Sequence, residues 1–97
     1  MKDEDYLLCV LVEECAEVSK EACKAMRFGM DGALPGQPFT NEEVLWREAN
    51  DLIAAIEMLA EARGCNPIDR ERIRMKREKV RSFLAQYRAN EKERKDE

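Results

Sequence analysis

Five acids at regular spacing are the residues best placed to do chemistry. Glu13, Glu14 and Glu17 lie in "LVEECAEVSK" (residues 11–20), and Glu48 and Asp51 lie in "WREAND" (46–51). Both stretches carry apolar residues at helical spacing. Because a helix turns by roughly 100° per residue, Glu14, seven after Leu7 and three after Leu11, falls inside an apolar stripe that Val18 continues. Glu17 sits at the margin of that stripe, with Glu13 and Lys20 further round, and Glu21 follows Glu14 by seven. Glu48 and Asp51 are three apart and share one side of their helix, near the line of Val44, Ala55 and Met58.

Inward carboxylates without partners are costly and take up protons or cations. Two helices that each offer a pair of them place four carboxylates around one volume. Hard cations such as Mg²⁺ and Mn²⁺ favour oxygen ligands, and Mg²⁺ keeps waters and takes phosphate oxygens for the rest. Geometry leaves two readings open: a metal–phosphate site, or internal salt bridges to Lys24, Arg27 or Arg47. A di-iron carboxylate bundle needs Glu-x-x-His pairs, and the chain has no histidine.

Three predicted helices position these acids. The first covers about 3–28, opened by Asp3, Glu4 and Asp5 at the positive end of the helix dipole and stopped by Gly29. Its expected buried stripe is Leu7, Leu11, Val18, Ala22 and Ala25. "GMDGALPGQPFT" (29–40) reads as a loop. The second helix covers about 41–63, with Thr40 and Glu43 forming a capping box or Asn41 as the cap. Its "LIAAI" (52–56) is apolar all round and is expected to be buried all round. "CNPID" offers Asn66 as cap and Pro67 as first turn of a third helix over about 67–88, with a thin seam of Ile73, Val80, Leu84 and Tyr87. Residues 91–97 are expected to fray.

The 97 residues, rich in charge and poor in aromatics, Gly and Pro, fit one all-α domain over 1–90. A chain this short buries a modest share of its surface alone, so its core is expected to be completed by self-association. Residues 1–69 carry six Lys/Arg against fifteen Asp/Glu, and residues 70–97 eleven against six. An acidic body of this kind repels a nucleic-acid backbone at close range. Cys9, Cys15, Cys23 and Cys65 lack zinc-ligand spacing and read as small buried hydrophobes of a reducing cytosol. No apolar run reaches membrane-spanning length, so the expected location is cytoplasmic.

"EECAE" followed by "EAND" resembles the EExxE…ExxD signature of the MazG-like all-α nucleoside triphosphate pyrophosphohydrolases. "KAMRFG" and "KREKVRSFL" are similar to the small phage and bacterial members, and the resemblance covers roughly residues 7–86. The thirty residues between Glu17 and Glu48 are somewhat long for the family, and the extra length falls in the loop. The family's aromatic-rich base pocket is not obvious in this chain.

The resemblance implies that Glu14, Glu17, Glu48 and Asp51 ligate Mg²⁺ or Mn²⁺, and that Glu13 holds a further metal or orients the attacking water. It implies hydrolysis of NTP to NMP and pyrophosphate, in nucleotide-pool remodelling or sanitation, by a homodimer or homotetramer. Its leading substrate is dGTP or GTP, with dUTP or dCTP as the alternative. Lys20, Lys24, Arg27, Lys76 and Lys79 are the candidate phosphate-binding cations, and Trp46 and Asn50 the candidate base contacts. From another class altogether, the acids could serve a non-enzymatic helical interaction protein.

Overall fold

The computed structural model describes residues 2–96. They form three helices, α1 (Asp3–Phe28), α2 (Asn41–Arg63) and α3 (Arg70–Asp96), with no strand among the described residues. The all-α expectation holds at that level. Two compact units divide the chain, one ending at Pro67 and one beginning at Ile68, where the sequence suggested a single domain over 1–90.

In the first unit α1 packs along α2. Small residues make the contact: Ala25, Ala55 and Ala60 are its buried apolar side chains, and half-buried Leu7, Leu11, Val18, Leu52 and Ile56 widen it. The stripe expected on α1 is corrected at one position. Ala22 is exposed, and Glu21, one residue earlier and seven after Glu14, is buried in its place. The true line of contact runs 7–11–14–18–21–25, which a 3.6-residue repeat favours over the drift to Ala22.

"LIAAI" is corrected too. Ala55 is buried, but Ile53 is half exposed and Ala54 and Met58 are open. Within a helical pair each helix has one neighbour, so only one side of α2 is covered. The same geometry corrects the cysteines. All four are exposed free thiols, because Cys9, Cys15 and Cys23 fall on the side of α1 that does not meet α2.

The loop between α1 and α2 is tied down at α2's first turn. The N–H groups that a helix leaves unpaired at its start are taken up by loop carbonyls: Asn41 N donates to Gly32 O (2.7 Å) and Glu42 N to Met30 O (2.9 Å). The buried Asn41 side chain adds Nδ2 to Gly29 O, 2.9 Å. Gly32 is required for the close approach, since a Cβ there would stand 2.7 Å from Phe28 O. Thr40 caps α2 as expected: Glu43 N donates to Thr40 Oγ1 and Thr40 N to Glu43 Oε1, both 3.1 Å. At the other end Gly64, left-handed at φ 67°, closes the helix with its N–H directed to Ala60 and Glu61 carbonyls.

In the second unit α3 starts three residues later than Pro67 suggested. Asp69 is the working cap, its Oδ1 accepting from Arg72 N at 2.9 Å. Its negative charge also suits the positive end of the helix dipole. The helix then runs to Asp96, through the segment expected to fray. Ion pairs along its surface support it: Arg74 bridges Glu71 and Glu78, and Arg94 meets Glu91 at 3.2 Å. No described residue of α3 is buried, and the Ile73, Val80, Leu84 and Tyr87 seam is exposed.

Candidate metal centre

The α1–α2 contact brings three of the acids together. Glu14 of α1 and Glu48 and Asp51 of α2 each offer a carboxylate oxygen, all within 4.8 Å of one another. Glu14 and Glu48 are half-buried and Asp51 is exposed, so the group sits at the edge of the helix interface and opens to solvent. Its placement follows from register. Glu14 replaces an apolar residue in the contact line of α1, and the one-turn spacing of Glu48 and Asp51 aims both from α2 toward it.

Electrostatically the cluster is short of positive charge. Among the described residues no Lys or Arg forms an ion pair with Glu14, Glu48 or Asp51. One oxygen, Glu14 Oε2, is buried with no hydrogen-bond donor at all. The Glu48 carboxyl is pushed above its ordinary value of 4.5, first by loss of water and then by the charges of Asp51, Glu17, Glu14 and Glu21. The salt-bridge reading is therefore not the arrangement found at these three residues. Carboxylate oxygens, one of them without a donor, are the donor type that a hard divalent cation takes.

The remaining site candidates are placed less tightly. Glu17 is half exposed and faces Lys20 at 4.0 Å, though its charge still acts on Glu48. Glu13 is exposed and outside the cluster. Lys24 is engaged by Glu21 at 3.4 Å, and Arg27 lies over the Phe28 ring at 5.4 Å. In the second unit Lys76 is exposed and the Lys79 ammonium stands over Phe83 at 5.8 Å. Trp46 is exposed with its indole N–H on Glu42 (3.1 Å), and Asn50 spends an amide hydrogen on Trp46 O (2.7 Å). Asn50 nevertheless lines, with Arg47, Glu48 and Asp51, the open groove beside the cluster.

Two residues were missed as site members. Glu21 is buried, and it contributes to the field at Glu48. The i, i+7 relation to Glu14 was its signal. Arg47, stacked at 4.1 Å over Phe39, stands on the groove wall without pairing to the acids, and nothing in its spacing marks that. Between the groove and the loop is a cleft of ≈ 230 Å³, walled by Glu21, Lys24, Phe39, Asn41 and Val44 among others. No protein-family model, curated protein or solved structure matches the chain.

Proposed function

We propose that the chain is a metal-dependent nucleoside triphosphate pyrophosphohydrolase that converts NTP and water to NMP and pyrophosphate. One observation carries this reading: three converging carboxylates with no cationic partner, one oxygen of which lacks any donor. A purely structural cluster would be expected to recruit a lysine or arginine, as Glu21 recruits Lys24.

In this reading Glu14, Glu48 and Asp51, with Glu17 at the margin, hold Mg²⁺ or Mn²⁺. The bound cation supplies charge neutralisation at phosphate oxygens and acidifies water. The residues of the chain do the positioning. The helix pair fixes the carboxylates, and the groove along Arg47, Asn50 and Asp51 admits the phosphates. No covalent nucleophile is used, which agrees with the absence of histidine. The resemblance to the small phage and bacterial members, rather than any single residue, puts dGTP or GTP ahead of dUTP or dCTP as substrate, in an oligomer that completes the core. No described helix is long and apolar enough to cross a membrane.

The test is a panel of the eight common NTPs and dNTPs with Mn²⁺, scored for products. Monophosphate with pyrophosphate supports the reading, and diphosphate with orthophosphate rejects the proposed bond. A second reading, a helical interaction protein, is favoured by the exposed apolar residues on both helices of the first unit, Val12, Met26, Ile53 and Met58 among them. It predicts no turnover with any nucleotide and no stabilisation by the metal.

A further inference from the structure

The side of α1 that does not meet α2 is apolar along its length. Leu8, Val12, Cys15, Ser19, Ala22 and Met26 alternate at spacings of four and three, the repeat of a helix–helix seam, and all are exposed. Val12 is 69% and Met26 81% accessible, apolar area whose removal from water is favourable. The one polar side chain in the row is already satisfied, since Ser19 Oγ donates to Cys15 O at 3.0 Å. Burying this face therefore strands no hydrogen-bonding group.

Charge says what covers it. Over Asp3–Glu17 the helix carries six acids and no base, and beyond Glu17 it carries Lys20, Lys24 and Arg27 against Glu21 alone. A parallel copy would set acids on acids. A reversed copy sets each acidic half on a basic half. The bordering row of Glu13, Lys20 and Arg27, seven apart, repeats the point. Glu13 has no ion-pair partner among the described residues, and reversal brings it to Lys20 of the second copy.

The side chains are also matched under reversal. Leu8 exchanges with Met26, Val12 with Ala22 and Cys15 with Ser19, about a centre at residue 17. The adjoining row of Cys9, Ala16 and Cys23 is symmetrical about Ala16. Both centres lie in one turn. A twofold axis there makes a self-complementary contact, with small residues in the middle where the helices come closest and large ones at the ends.

We infer that α1 packs antiparallel against α1 of a second copy of this chain along the stripe from Leu8 to Met26, with the twofold axis at the turn of Ala16. The pairing buries the face that carries Cys9, Cys15 and Cys23. It places Cys9 of one copy beside Cys23 of the other, whereas the two Cys9 residues stand about 21 Å apart along the axis. It stands independently of the metal and of any catalysis.

Cross-linking with a short bismaleimide tests it on the full chain with Cys15 and Cys65 changed to serine. The protein retaining Cys9 and Cys23 is expected to give a covalent dimer. Versions retaining only Cys9 or only Cys23 are expected to give at least about tenfold less, given that separation. Sedimentation of the unmodified chain should show a dimer or a multiple of it. Ala16→Glu should sediment as one chain with helicity unchanged, and Arg88→Glu should not alter the mass. A monomeric unmodified chain overturns the inference. So does a dimer that cross-links through Cys9 alone as well as through the pair, or through neither.

Discussion

The carboxylates of Glu14 and Glu48, carried by different helices, stand with oxygens within 4.8 Å of each other and no positive group between them. Their helices set the spacing of the two carboxylates, and no Lys or Arg among the described residues forms an ion pair with either. In the proposed reading a divalent cation relieves the repulsion between them. Mn²⁺ at about 100 times its Kd is expected to stabilise the fold by about 2.7 kcal/mol, read as a shift in urea midpoint against an EDTA control. Glu14→Gln should unfold at the same or a higher midpoint in EDTA and lose most of the Mn²⁺ gain. An equal gain in the variant would place the ion elsewhere.

The capping box sets a pH dependence of opposite origin. The backbone N–H and hydroxyl of Thr40 hold the Glu43 carboxyl below its ordinary value of 4.5. A folded value below the unfolded one means that the stabilisation is complete above about 4.5 and is lost as pH falls through the lowered folded value. Glu43→Gln is expected to flatten this part of the profile. Thr40→Ala should cost about 1 kcal/mol at neutral pH, measured by chemical unfolding. A Glu43→Gln profile that still falls steeply in acid would assign the loss to other carboxylates.

Ala55, 3% exposed, is the most deeply buried apolar side chain among the described residues of the helix pair. Ala55→Leu is expected to cost about 1–3 kcal/mol through overpacking, and to lower the Mn²⁺ gain by spreading the acids. Ala54→Leu, one residue round on the open side, is the control and should be nearly neutral. Equal effects at the two positions would contradict the helix register.

Glu21 and Lys24 form the least exposed ion pair among the described residues, 3.4 Å apart. Glu21→Ala leaves Lys24 without a partner and should cost about 2 kcal/mol, because the uncompensated ammonium is partly buried. The Glu21→Leu, Lys24→Met double variant should recover most of that loss, as seen in thermal midpoints. If the double variant is as unstable as the single, packing rather than charge explains the loss.

Much of the helical fold, and the side of each helix that carries the candidate acids, were legible in the sequence. Helical periodicity and two stop glycines located α1 and α2, and Thr40 with Glu43 located the cap, because each is a local signal. The convergence of Glu14 with Glu48 and Asp51 was legible for the same reason: their spacing fixes their side of the helix. Burial was less so. Cys9, Cys15 and Cys23 look like core residues by type, but burial depends on how many neighbours a helix has. Ala22 against Glu21 turned on one residue of helical drift, where hydrophobicity pointed the wrong way. Asp69 was hidden behind the stronger-looking Asn66–Pro67 start signal. Arg47 over Phe39 joins the start of α2 to the loop before it and has no periodic signature.

The loop carbonyls that accept from Asn41 and Glu42 have an engineering consequence. With both ends pinned, at Gly29–Gly32 and at Thr40–Asn41, the residues between them form a replaceable cassette. Insertions or exchanges confined to 33–38 should rebuild the wall of the cleft beside Phe39 while the acids of α1 and α2 keep their register. A library confined to those positions would reshape that cleft without touching what holds the helix pair together.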